Sequence, residues 1–214
     1  YGMKNTQKVT LNMMMLHGKA VCNSSKKAFT IVDMPYQTYK NKKDALINAK
    51  KILKYTKCQS IKIEADLSTV KIVEHLTKNK IDVISHIGVT PQKYKDFSKI
   101  RSVGKNANDK NKIINLAIQL EKAGSKLIFL ECIKESLSKE ITSKIKIPTI
   151  GIGASLHCDG QVLVINDILN VQNFINKPRF IKSYVNLKNI IEKAVKNYSN
   201  DVKSMKFPKI KNTY

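Results

Sequence analysis

Six short runs of β-branched and aliphatic residues recur along the chain, separated by stretches of helical periodicity, and this alternation limits the folds open to it. The runs cover 28–34 (AFTIVDM), 60–65 (SIKIEA), 82–88 (DVISHIG), 126–132 (KLIFLEC), 147–153 (IPTIGIG) and 161–167 (QVLVIND). Most are near-continuous apolar runs, as expected of strands covered on both faces. Helical patterns occupy 42–57, 68–80, 108–124 and 134–145. In the first, Ala45, Ile47, Ala49, Ile52 and Leu53 fall close to one stripe. Ser68 is placed to cap the second helix, and Gly124 to terminate the third.

Strand followed by helix, repeated, predicts a parallel α/β fold. A (β/α)8 TIM barrel takes eight strands in about 250 residues, and no strand pattern precedes Ala28. The expectation is a barrel with about six of its eight strands in this chain. It is read as one barrel domain over 1–214, with 183–214 a C-terminal helix and tail. An open doubly wound sheet is the alternative, because six parallel strands suffice for it.

The formal net charge is +23, which raises the question of a nucleic-acid partner. The excess is nearly all Lys and is spread along the chain, without the clusters of Arg and aromatic residues that read bases. Lys, Asn and Ile are abundant together, as AT-rich codons produce. No nucleic-acid or membrane partner is expected, and no apolar run is long enough for a transmembrane helix. The four cysteines, Cys22, Cys58, Cys132 and Cys158, show neither zinc nor disulfide spacing. They read as reduced thiols.

Ionisable residues stand at the C-terminal ends of four runs: Asp33, Glu64, His86 and Glu131. In barrels and open α/β sheets that end is the active-site face. Four such groups at matching positions are hard to explain by stability, since unpaired buried charge is costly. Lys62 and Glu64 are two apart on a strand and share a side. They could form a structural ion pair, or join Asp33 in binding a divalent ion and an anionic substrate. Carboxylates without Cys or clustered His suit Mg2+ better than Zn2+. His86 is a supporting candidate. Between 147 and 164 the glycines Gly151, Gly153 and Gly160 separate two strand patterns too close together for a full helix.

These residues carry a resemblance. DMPY, KIE, HIGVTPQ, LEKAG with LECI, IPTIGIGA with CDGQVLV, and KPRF occur in the order and spacing of the ketopantoate hydroxymethyltransferase family. The resemblance implies a (β/α)8 barrel in which 147–164 holds the seventh strand, a glycine loop and the eighth strand. It implies transfer of a hydroxymethyl group from 5,10-methylenetetrahydrofolate to 3-methyl-2-oxobutanoate, giving 2-dehydropantoate for pantothenate biosynthesis, in a cytoplasmic homo-oligomer. By similarity Asp33 and Glu64 match Mg2+ ligands, Asp33 and Lys62 match residues that hold the keto acid, and Glu131 matches the catalytic base.

The sequence departs from the family pattern in four places. An Asp-Ser pair on the second strand, and the first two strands, fall ahead of Tyr1. Residues 97–102 replace a glycine-rich loop, Ala65-Asp66 replaces Gly-Gly, and Ser155 replaces a glycine. Two expectations follow: an enzyme complete with an N-terminal segment, or a truncated, inactive relative that keeps the fold only.

Overall fold

The computed structural model describes residues 1–95, 101–172 and 177–214. They divide into two compact units, Tyr1–Val162 and Leu163–Tyr214.

The first unit contains a six-stranded sheet: β1 (Ile31–Asp33), β2 (Ser60–Glu64), β3 (Val83–Gly88), β4 (Leu127–Glu131), β5 (Thr149–Ile152) and β6 (Gly160–Gln161). Every neighbouring pair is parallel, and the strands lie side by side in chain order. A doubly wound sheet reverses its strand order at a switch point. Unbroken chain order instead matches a partial (β/α)8 barrel. Helices α1 (Leu11–Ser24), α2 (Lys42–Thr56), α3 (Val70–Lys78), α4 (Ala107–Lys122) and α5 (Glu135–Lys144) belong to this unit.

Local chemistry sets the helix ends. Asn41 accepts from the Asp44 amide at the start of α2, and Asn106 accepts from the Asp109 amide at the start of α4, both at 2.9 Å. Gly124 follows α4 with φ 92°, as expected of a residue just past a helix end. Two expectations are corrected. Ser68 does not cap α3; its hydroxyl and amide both bond to Asp66, and the helix begins at Val70. Ile47 points to solvent, 43% exposed, while Ala45, Ala49, Ile52 and Thr56 form the buried stripe of α2.

The expected strand over 161–167 is also corrected: β6 ends at Gln161, and Ile165–Leu169 form α6. Among the described residues β6 pairs only with β5, through Ile150–Gly160 and Gly151–Gln161. A longer strand would leave further backbone groups unpaired, whereas a helical turn satisfies them internally.

No helix separates β5 from β6, and their glycines have a packing reason. A Cβ on Gly160 would lie 2.7 Å from Ile150 Cδ1, and one on Gly151 within 3.1 Å of Gln161 and Cys158 side-chain atoms. Asp159 Oδ2 accepts from the Thr149 amide at 2.8 Å, and Gln161 Nε2 donates to the Ser155 carbonyl at 2.8 Å. Asp159 and Gln161 thus serve the connection itself. Ser155, at a family glycine position, donates its hydroxyl to Glu135 Oε1 at 2.9 Å.

The sheet has two faces. Val32, Ile61, Ile63, Ile87, Ile128 and Leu130 belong to one core cluster together with Ala45, Ile52, Val73, Leu76, Leu120 and Leu137 of the helices. The other face carries the polar groups described below. The second unit holds α6 and α7 (Leu187–Lys203). No residue of α7 is buried, and its Ile190, Ile191, Val195 and Tyr198 are exposed.

Gly88 ends β3 at φ 99°, where a Cβ would lie 2.3 Å from the Glu131 carbonyl oxygen. That oxygen accepts from the Val89 amide at 2.9 Å. Gly88→Ala is expected to cost at least about 2 kcal/mol through backbone strain and overpacking. A urea denaturation midpoint equal to that of the parent would contradict this.

Candidate active site

Parallel register brings the ionisable residues to one face. Asp33 lies beside Lys62, Glu64 beside His86, and His86 beside Phe129. Lys62 and Glu64 are two apart on β2, as are Phe129 and Glu131 on β4, so all six side chains leave the sheet on the same side. This is the side opposite the helices, at the C-terminal strand ends where barrel active sites form.

Two charge contacts organise the face. Lys62 Nζ lies 2.7 Å from Asp33 Oδ2, with the two side chains 18% and 39% exposed. The same ammonium sits 5.6 Å from the centroid of the Phe129 ring, a cation–π position. His86 Nε2 lies 3.1 Å from Glu131 Oε2, but neither ring nitrogen of this buried histidine makes a well-aligned hydrogen bond. The contact is a close approach rather than a satisfied bond, and it leaves Glu131 oxygen capacity for another partner.

Glu64 is 5% exposed. Both of its carboxylate oxygens accept from the Gln92 amide, at 3.2 and 3.1 Å. Burial raises its pKa from 4.5 to about 7; the Gln92 amide and Lys62 oppose the rise, and the Asp33 and Glu131 carboxylates add to it.

Among the described residues no three His, Cys, Asp or Glu side chains group as a metal cage. Asp33 and Glu64 nevertheless fit Mg2+. This ion is commonly held by one or two carboxylates, with waters and substrate oxygens completing its shell. A carboxylate whose pKa is raised by burial, with smaller contributions from the Asp33 and Glu131 carboxylates, is also a group that a cation would relieve.

Sequence reasoning named Asp33, Lys62, Glu64, His86 and Glu131, and the structure brings all five to this face. It missed the residues that hold them. Gln92, buried beside Glu64, donates through Nε2 to the Met34 carbonyl at 3.0 Å and accepts the Tyr39 hydroxyl through Oε1 at 2.9 Å. The available signal was an amide side chain directly after Pro91 in a loop leaving a strand. Asp66, at a family Gly-Gly position, pairs with Lys93 of the same loop. Burial pushes the Asp66 carboxyl up, but the hydrogen bonds from Lys93 and Ser68 outweigh it and hold it below its ordinary value. The family departure over 97–100 lies outside the described residues.

A parallel sheet in barrel order, with three carboxylates, a lysine and a histidine at its C-terminal strand ends, defines an α/β-barrel type of enzyme site. The sequence model of the ketopantoate hydroxymethyltransferase family matches residues 1–210. The 3-methyl-2-oxobutanoate hydroxymethyltransferase of Pelagibacter ubique (strain HTCC1062) is 45% identical over 214 residues, covering 100% of this chain and 81% of that protein. The enzyme of the same name from Bartonella tribocorum is 41% identical, covering 100% of this chain and 79% of that protein. The one from Helicobacter pylori (strain 26695) is 40% identical, covering 97% of this chain and 77% of that protein. The chain belongs to the ketopantoate hydroxymethyltransferase family, a family of transferases.

Glu64 makes stability pH-dependent. Its folded pKa of about 7 lies above the unfolded value of 4.5. The folded state therefore binds the extra proton between those values, and its stability falls as pH rises through this window. At about 1.4 kcal/mol per unit, the loss from this group approaches 3 kcal/mol by pH 8. Glu64→Gln is expected to remove that share of the pH dependence. Denaturation of both proteins at pH 5 and pH 8 without divalent ions checks this; parallel losses would contradict it.

Proposed function

We propose that the chain transfers a hydroxymethyl group from 5,10-methylenetetrahydrofolate to 3-methyl-2-oxobutanoate, giving 2-dehydropantoate for pantothenate biosynthesis. The observation that carries this reading is the shared face of Asp33, Lys62, Glu64, His86 and Glu131, with the family membership behind it. Lys62 offers the keto acid's carboxylate a cation that is only 18% exposed. Asp33 holds that ammonium in place from 2.7 Å. Glu131 takes the proton from C3 of the keto acid as general base. His86 Nε2 stands 3.1 Å from Glu131 Oε2, within reach of it. The C3 electron pair then forms the new carbon–carbon bond to the one-carbon unit, the two carbon–nitrogen bonds of the methylene bridge break, water supplies the hydroxyl oxygen, and the C3 proton and one water proton end on the two folate nitrogens as tetrahydrofolate leaves.

Asp33 and Glu64 would hold Mg2+, which supplies Lewis-acid charge when bound. A homo-oligomer in the cytoplasm is part of the same reading, supported by the family resemblance. Among the described residues no helix is long and apolar enough to cross a membrane.

Glu131→Gln should slow exchange of the keto acid's C3 proton with solvent by about 100- to 10,000-fold, the usual contribution of a general base, while keto-acid binding remains. Proton NMR in heavy water follows the exchange directly, and unchanged exchange would remove Glu131 from this role. Asp33→Ala should raise the Mg2+ concentration for half-maximal exchange at least about tenfold, because a hard cation loses an anionic oxygen. A titration that overlays the parent would contradict the ligand assignment. Absence of tetrahydrofolate release by the parent chain would mean that it keeps the fold and not the reaction.

A further inference from the structure

A cavity of about 350 Å3 opens beside Glu64. It is bounded by the loops after β1, β2 and β3, so it lies on the same C-terminal face as the carboxylates. Of the five site residues, Glu64 alone lines it. Tyr36, Tyr39 and Ile72 supply flat apolar surface, and Lys40 and Lys93 supply cations. Lys93 is paired with Asp66, whereas Lys40 is exposed and makes no ion pair among the described residues.

We propose that this cavity takes the one-carbon donor, a planar aromatic group with a carboxylate tail; the assignment rests on the reaction proposed above. The volume lies within the range of small-molecule pockets, and a five-carbon keto acid would leave most of it empty. Tyrosine side chains suit a flat heteroaromatic ring. An unpaired exposed lysine suits the tail carboxylates, which remain in water at the rim. The position of the cavity points the same way. Forming a carbon–carbon bond requires donor and keto acid to touch. The keto acid's groups, Asp33, Lys62 and Glu131, do not line the cavity, but they share the sheet face with Glu64, which does.

Tetrahydrofolate binding to the full chain, measured by calorimetry, tests this in the parent, Lys40→Ala and Tyr36→Ala. Both variants should bind tetrahydrofolate at least about tenfold more weakly, a loss of about 1.4 kcal/mol. The KM of the methylene donor should rise in step, while the KM of the keto acid stays at the parent value. Lys40 is exposed, so its variant folds even if truncation of Tyr36 disturbs the loop. Parent-like tetrahydrofolate affinity in Lys40→Ala and in a folded Tyr36→Ala overturns the pocket assignment and leaves the reaction standing. Equal losses for tetrahydrofolate and keto acid overturn it as well, since they mark a general disturbance of the face. A parent chain that neither binds tetrahydrofolate nor releases it from the donor overturns the reaction, and the pocket with it.

Discussion

The candidate site depends on strand register. Parallel pairing places Asp33 beside Lys62 and Glu64 beside His86, and a slip of one residue would turn β2 over. Lys62 and Glu64 would then face the helices, and Ile61 and Ile63, now fully buried, would face the polar side. Either half of that exchange is costly, because isoleucines lose burial and charges enter an apolar layer. The isoleucines of one face therefore hold the ionisable groups of the other in place. The same holds for β4, where buried Ile128 and Leu130 alternate with Phe129 and Glu131.

Charge at the site is unbalanced. Three carboxylates face one ammonium, and the Asp33–Lys62 contact at 2.7 Å satisfies one of them. Glu64 is left with the Gln92 amide and a raised pKa, and Glu131 with a histidine that it approaches without good bond geometry. An anionic keto acid would be repelled by such a site unless positive charge entered with it. On the proposed reading, a divalent ion held by Asp33 and Glu64 would reverse the local sign, and Lys62 would add to the attraction.

Strand ends were legible because two signals coincide there: an apolar run, then a single ionisable residue. That pattern gave Asp33, Glu64, His86 and Glu131, and the period of two gave the shared side of Lys62 and Glu64. Boundaries were less legible. Val162, Val164 and Ile165 look like strand residues, yet Ile165 begins a helix and all three are exposed, because strand propensity reports fit to a sheet surface. Ser68 looked like a cap because its residue type favours that role, but Asp66, two residues before it, competes for both its amide and its hydroxyl. The bonding role of Gln92 was illegible for another reason, although its place after Pro91 was a signal. Its partners, Glu64, Met34 and Tyr39, lie 28 to 58 residues away in the chain, and no local pattern announces them.

Gln92 also explains how loops can position a site as firmly as strands do. Its amide holds Glu64 at the end of β2, its side-chain nitrogen holds the Met34 carbonyl after β1, and its side-chain oxygen receives Tyr39. Its carbonyl accepts the Gln7 side chain at 3.1 Å, which ties the N-terminal segment to the same point. Burial, and next the Glu64 charge, push the Tyr39 hydroxyl up, so it remains a protonated donor to Gln92 at neutral pH. A second link runs from Asp66 after β2 to Lys93 after β3. Three loops that could otherwise move separately are thus joined at one buried amide and one ion pair. Glu64 sits at their junction, where its carboxylate is fixed by backbone geometry on one side and open to the cavity on the other.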